Sequence, residues 1–193
     1  MLISLFTAGV MATSALALPA AHPHFAKRNE TACLTRDEAK NLVDVYQRLI
    51  ANYSDADCEK YCSEDFEDWS DSINTFLNQP LGEPTFGSKK IFMEAQNSNP
   101  PFPLVVDSID AVDCTKIALR WHATFGEANL PSKGITVLDT TKTSGDWQIS
   151  RIYVEFNALT WLRDMGGSYD WEGSTYGPEA PSASPSPAPT ASK

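Results

Sequence analysis

Three aspartates flank Trp69 in the segment DFEDWSDSIN: Asp65, Asp68 and Asp71. A carboxylate beside an indole in apolar surroundings has a raised pKa and can act as a general base at neutral pH. We therefore treat Asp68 and Asp71 as candidate catalytic residues. The alternative is a solvated acidic loop whose aspartates cap helices, which is common in a chain this acidic.

Histidine is the second candidate base. His22 and His24 lie in an amino-terminal segment that we expect to be removed, so His122 would be the only histidine of the mature chain. A single imidazole excludes a multi-histidine metal site but leaves one possible base. His122 shares a strand face with Lys116 and Arg120, so a surface histidine is the alternative interpretation.

Other chemistries lack their motifs. No Gly-x-Ser-x-Gly elbow and no glycine-rich phosphate loop occur, and we expect no metal and no cofactor. The formal charge of −10 becomes −12 if Lys27 and Arg28 are removed, because no acid precedes residue 29. Such a charge disfavours nucleic acid and anionic membranes as partners.

Four cysteines, an even number, predict two disulfides if the chain is secreted. Three pairings are possible. Cys58 and Cys62 lie one helical turn apart and can pair locally if their helix ends there. Cys33 would then pair with Cys114. Metal binding by Cys58 and Cys62 is the rival interpretation, although no histidine lies near them in sequence.

The amino-terminal half reads as helical. Thr35 and Glu38 form a capping box, followed by an apolar stripe that includes Leu42, Tyr46 and Leu49. A second, shorter helix is predicted to run through Cys62, and a third over residues 88–96. We predict that DFEDWSDSIN forms a short strand entering a loop.

The carboxyl-terminal half reads as four strands between residues 100 and 157, with the sequences PFPLVVDSIDAV, TKIALRWHATFG, SKGITVLDTT and GDWQISRIYVEFN. In the second, Ile117, Leu119 and Trp121 alternate with polar residues. This period of two predicts an antiparallel sheet with one covered face. A final short helix is predicted after Asn157. A set of aromatic residues is predicted either to line a pocket or to fill the core: Tyr53, Phe66, Trp69, Phe92, Trp121 and Tyr153.

Helices followed by a curved antiparallel sheet resemble the cone-shaped α+β fold of the nuclear transport factor 2-like superfamily. CLTRDEAKNLVD, SEDFEDWSDSIN, DAVDCTKIALRW, LPSKGITVL and YVEFNALTWLRDMGG are similar to secreted fungal proteins of this group, over residues 33–167. The superfamily includes ketosteroid isomerase, scytalone dehydratase, limonene epoxide hydrolase and SnoaL-like cyclases, and also non-catalytic binding modules. No residue-by-residue match to the isomerase's catalytic aspartate and tyrosine exists, so the resemblance transfers no catalytic residue.

The two ends predict secretion. Residues 1–17 read as a signal peptide and residues 18–28 as a propeptide ending in a dibasic site. Residues 29–167 form the predicted domain, and residues 168–193 a disordered tail rich in proline, serine and alanine. Asn29 and Asn52 begin N-glycosylation sequons.

These features predict a secreted protein that binds a small apolar or amphipathic molecule in the cone. The first alternative is an isomerase, dehydratase or cyclase that uses Asp68 or His122 as its base. The second is a surface interaction protein that forms a homodimer through its sheet.

Overall fold

The computed structural model describes residues 33–178, which form five helices and seven strands in chain order. The helices are α1 (Arg36–Ala51), α2 (Asp55–Tyr61), α3 (Asp71–Leu77), α4 (Lys89–Ser98) and α5 (Ala158–Asp164). The strands are β1 (Cys62–Trp69), β2 (Leu104–Val112), β3 (Lys116–Ala123), β4 (Ser132–Thr143), β5 (Asp146–Phe156), β6 (Tyr169–Trp171) and β7 (Ser174–Tyr176).

The helices begin where the sequence supplies caps. Thr35 and Glu38 form the predicted capping box at α1, and Ser54, Ser70 and Ser88 cap α2, α3 and α4. The segment DFEDWSDSIN differs from its prediction, because only its first half is strand. Ser70 accepts a hydrogen bond from the Ile73 amide, so the chain turns there into α3 instead of entering a loop.

One five-stranded sheet has the order β1-β5-β4-β3-β2, and β2 to β5 pair antiparallel as predicted. β1 is the exception, since it pairs parallel to β5. Bulges interrupt the pairing in β1, β2 and β5, and bulges bend strands. The fold is thus the predicted α+β type, with helices packed on a curved sheet.

The inner face of the sheet, which the helices cover, carries the core. Ile117, Leu119, Trp121 and Ala123 of β3 are all buried, as the alternation predicted. The side chains of α1 pack against them with Phe66 and Phe92. We call the packed region between this face and the helices the interior.

The disulfide Cys33–Cys114 joins the start of α1 to the turn between β2 and β3. The Leu34 amide donates to the Cys114 carbonyl beside it, at 3.1 Å. The predicted Cys58–Cys62 disulfide is not present, because both residues are buried thiols. The Cys62 amide donates to the Cys58 carbonyl, so the helical turn between the two residues is intact.

The stretch predicted as the start of the tail contains a hairpin. β6 and β7 pair antiparallel, and Glu172 and Gly173 both have positive φ, as a type I′ turn requires. The predicted signal peptide and propeptide, Asn29 and the tail after residue 178 lie outside the described residues.

Candidate functional site

Asp68 is a buried carboxyl without a hydrogen-bonding partner. Its position in β1 directs the side chain inward, where it is 2% exposed, and Oδ1 has no hydrogen bond. Reciprocal backbone bonds with Phe86 hold the strand in place. Burial disfavours the charged form and raises the pKa of Asp68 from 3.8 to about 7. At neutral pH this carboxyl can therefore either donate or accept a proton.

A chain of three polar side chains also lies in the interior. Trp121 Nε1 donates to Thr136 Oγ1 at 2.9 Å, and Tyr46 Oη lies 2.8 Å from the same oxygen. The three groups carry three donor hydrogens, but they make only two hydrogen bonds among themselves. They make no other side-chain hydrogen bond within residues 33–178. One hydroxyl hydrogen, of Tyr46 or of Thr136, is therefore left without an acceptor.

Tyr46 and Asp68 are close enough to interact electrostatically. Burial, together with the charge of Asp68, raises the pKa of Tyr46, while its bond to Thr136 acts in the opposite direction. No hydrogen bond joins the two side chains among the described residues. The interior therefore holds one unpaired donor and one unpaired acceptor in apolar surroundings, where each costs free energy.

A cluster of aromatic rings lies where the interior approaches the surface. We call Phe102, Phe125, Phe156 and Trp161 the mouth, because all four are partly exposed and pack against the core. The ring of Trp161 lies 4.5 Å from that of Phe125 and 4.7 Å from that of Phe156. Its ring also lies 6.4 Å from the ring of Trp121, the residue whose indole is hydrogen-bonded to Thr136.

The other two candidate bases lie outside the interior. His122 is on the outer face of the sheet, where Nδ1 lies 2.7 Å from Asp107 Oδ1. Asp71 begins α3 and is exposed, and its carboxylate accepts from the Gly82 amide at 2.7 Å. Both side chains have structural partners, so neither is placed as a base for a molecule in the interior.

The predicted pocket-lining aromatics divide between the two faces of the sheet. Phe66, Phe92 and Trp121 are buried in the core. Tyr53 packs its ring 6.3 Å from that of Phe92. Trp69 and Tyr153 do not fit the prediction, because their positions in β1 and β5 direct them to the outer face. There their rings pair at 6.1 Å, and Trp69 Nε1 donates to Glu67.

The buried thiols lie beside this interior. The hydrogen bond with Cys62 lowers the pKa of Cys58, and the same bond, together with burial, raises the pKa of Cys62. The nearby charge of Lys89 also favours the Cys58 thiolate. Within residues 33–178, no group of three or more histidines, cysteines or acids has the geometry of a metal site.

Two open grooves lie on the surface. One of about 530 Å³ runs between α1 and β2 and includes Lys40, Asp44 and Asp110. The other, of about 490 Å³, surrounds Lys89, whose Nζ lies 2.8 Å from Glu59 and 3.3 Å from Glu64. Asp68 lines neither groove, so the grooves are separate from the interior polar groups. None of the helices in the described part is long and apolar enough to cross a membrane.

Sequence reasoning missed Tyr46 and Thr136. Tyr46 was assigned to the apolar stripe of α1, where a hydroxyl requires a buried partner. That requirement was the available signal, but the sequence does not say that β4 supplies the partner 90 positions later.

The comparisons with known proteins agree with this architecture. Residues 32–168 match the family described as the NTF2-like domain. No curated protein matches the chain. Among solved structures, the IdmH 96-104 loop truncation variant has 13% identity and a TM-score of 0.50, over 66% of this chain and 99% of that one.

Two similar structures are of proteins of unknown function. A SnoaL-like protein from Burkholderia thailandensis E264 has 11% identity and a TM-score of 0.49, over 65% of this chain and 98% of that one. An NTF-2 like protein from Silicibacter pomeroyi DSS-3 has 12% identity and a TM-score of 0.43, over 63% of this chain and 94% of that one. At these identities the likeness concerns the fold alone. The match over residues 32–168 makes the chain a member of the NTF2-like domain family.

Proposed function

We propose that this domain binds a small, largely apolar molecule in its interior and holds the molecule's polar group between Tyr46 and Asp68. The observation that carries this proposal is the pair of buried, unpaired groups: the Asp68 carboxyl and one hydroxyl hydrogen of the Tyr46–Thr136 pair. A ligand that accepts from the hydroxyl and donates to the carboxylate satisfies both. Native mass spectrometry of protein purified from its own source tests for such a retained ligand.

A matched pair of probes tests the polar contacts. We expect 2-naphthol, followed by its fluorescence, to bind the wild type at least tenfold more tightly than Asp68→Asn or Tyr46→Phe. Asp71→Asn is the control, because Asp71 is exposed and faces away from the interior. Naphthalene, which lacks the hydroxyl, should bind all four proteins alike. If both interior variants keep wild-type affinity for 2-naphthol, the proposal is wrong.

A second candidate function is proton transfer, with Asp68 as the general base. It is favoured by the pKa of about 7, which suits a base at neutral pH. The carboxylate would take a proton from a carbon beside a carbonyl, and the C–H electron pair would form an enolate. The left-over hydroxyl hydrogen would donate to the enolate oxygen, and the carboxyl would return a proton to carbon.

Deuterium exchange tests this chemistry without knowledge of the natural substrate. In D₂O, 2-tetralone should exchange its hydrogens beside the carbonyl faster with wild type than with Asp68→Asn. His122→Ala should match the wild type, because His122 lies on the outer face. Exchange at the rate of buffer alone contradicts the enzyme and leaves the binding proposal in place.

The outer face of the sheet favours an interaction surface as a further candidate. Ile135 is 58% exposed and Tyr153 is 38% exposed, and Trp69 lies opposite Tyr153 in the pairing of β1 with β5. We propose that a second copy of the chain covers this face. Light scattering after size exclusion should then give the mass of a dimer, and Ile135→Lys the mass of a monomer. A monomeric wild type at all concentrations contradicts this proposal.

We also propose that the protein is secreted and glycosylated. The Cys33–Cys114 disulfide supports an oxidising compartment, and Asn52 is exposed between α1 and α2. Intact mass before and after enzymatic removal of N-glycans tests the modification at Asn52. The same measurement gives the amino terminus and tests cleavage after Arg28. An unmodified chain that retains residues 1–28 contradicts both.

A further inference from the structure

We propose that Trp161 is a removable plug in the mouth and that it determines how fast, and up to what size, ligands enter the interior. The inference rests on the proposed binding near Asp68, and it adds a route and a residue that controls it. Trp161 belongs to α5, a helix of seven residues that follows β5 directly.

The contacts of Trp161 place its ring at the centre of the mouth. Its ring lies 5.3 Å from Phe102, 4.5 Å from Phe125 and 4.7 Å from Phe156, mostly edge to face. Phe102 precedes β2, Phe125 follows β3 and Phe156 ends β5. Strand pairing brings Phe102, Phe125 and Phe156 to the same end of the sheet, and the ring of Trp161 packs among them. Rotation of the Trp161 side chain would therefore leave a gap between these rings without breaking any strand pairing.

The start of α5 is held by β4, and its end is held by the segment 127–130 that precedes β4. At the start, the Asn157 amide donates to the Lys133 carbonyl at 3.0 Å. At the end, the Asp164 carboxylate accepts from the Leu130 amide at 2.9 Å and its carbonyl accepts from the Glu127 amide. Gly166, with a φ of 84°, lies two residues after the end of α5. The start of α5 is thus fixed to the sheet, and opening at the mouth requires rotation of the Trp161 side chain instead of movement of the whole helix.

A series of side-chain contacts connects Trp161 with the buried polar groups. Trp161 contacts Trp121, whose indole donates to Thr136, and Thr136 is bonded to Tyr46. The Asp68 side chain is buried in the same interior. A molecule that enters at the mouth and displaces the Trp161 ring thus meets Trp121 first and the unpaired groups next.

Association rates measured by stopped flow test the plug, with two phenols of different size as probes. Trp161→Ala should raise the association rate constant at least tenfold for pyren-1-ol and less for 2-naphthol, and Trp161→Phe should give intermediate values. Trp171→Ala is the matched control, since Trp171 is 65% exposed on the β6–β7 hairpin. Equal rates in Trp161→Ala and wild type, or weaker and slower binding, would overturn the inference.

A measurement without ligand separates this inference from the proposed function. The Trp121 indole hydrogen, followed by NMR, should exchange at least tenfold faster in Trp161→Ala and threefold faster in Trp161→Phe. The Leu138 amide, buried in β4, should keep its wild-type rate, which excludes global destabilisation. Unchanged indole exchange in both variants overturns the plug even where a probe binds. Faster indole exchange with no probe bound by any variant supports the plug and refutes the proposed binding.

Discussion

Acidic side chains have partners on one face of the sheet and lack them on the other. On the outer face, each of three acids has a basic partner: Asp107 lies beside His122, Asp110 beside Arg120, and Glu67 beside Arg151, all at 2.6–2.7 Å. On the inner face, Asp68 has no such partner. Adjacent positions of β1 therefore hold a paired carboxylate, Glu67, and an unpaired one, Asp68. The paired charges of the outer face suit a surface that contacts water. The unpaired carboxyl of Asp68 lowers stability, so it has a role that stability alone does not explain.

The largest expected difference between the two faces is the loss in the free energy of unfolding when a large side chain is removed. Phe92→Ala should lower the free energy of unfolding by about 3–5 kcal/mol, because Phe92 is fully buried against Phe66 and Phe86. Tyr153→Ala on the outer face is the control and should cost less than about 1 kcal/mol at a protein concentration at which the chain is monomeric. Urea denaturation measures both. Similar losses in the monomer would contradict the assignment of Tyr153 to an exposed face.

The second expected effect is the pH dependence that Asp68 causes. Because its pKa is raised from 3.8 to about 7 in the folded state, the folded state binds more protons between these values. The free energy of unfolding should therefore fall as pH rises from about 4 to 7, by up to about 4 kcal/mol, and then level off. Asp68→Asn should remove this fall and be more stable than wild type at pH 8. Identical pH profiles would show that the carboxyl is solvated.

The third prediction concerns the interior hydroxyl chain. Thr136→Val keeps the shape of the side chain but leaves Trp121 Nε1 without an acceptor. We expect a loss of about 1–3 kcal/mol in the free energy of unfolding, the usual cost of a buried unpaired polar group. Thr141→Val, on the outer face, is the matched control and should be neutral. A neutral Thr136→Val would mean that the indole finds water or another acceptor.

The smallest expected effect is on the outer face. His122→Ala removes the hydrogen bond with Asp107, in which both side chains are partly exposed. Exposed polar pairs contribute about 0–1 kcal/mol, so thermal unfolding should shift by a few degrees at most. A loss comparable to that of Phe92→Ala would contradict the assignment of His122 to the surface.

Much of the fold was predictable because its signals are local. The capping box at Thr35, the stripe of α1 and the alternation along β3 each depend on neighbours within a few positions. α3 was missed because its start depends on one serine cap inside an acidic segment that also reads as a loop. The Cys58–Cys62 bridge was wrong because spacing alone does not say whether the helical turn between them persists.

The candidate site was predictable only in part. Asp68 was selected for its indole neighbour, yet Trp69 points to the opposite face and burial is what raises the pKa. His122 and Asp71 were reasonable candidates by residue type, and their partners Asp107 and Gly82 became evident only in three dimensions.

By itself, the sequence determined the α+β class, the family and the alternation that assigns each strand residue to a face, because these depend on periodicity and local motifs. Tertiary structure decided which face of the sheet the helices cover. It therefore also decided that the carboxyl of Asp68 is buried. It brought Tyr46 of α1 to Thr136 of β4, and Trp161 to rings from three other segments. Burial and pairing between distant segments are properties of the packed chain, and local patterns in the sequence do not encode them separately.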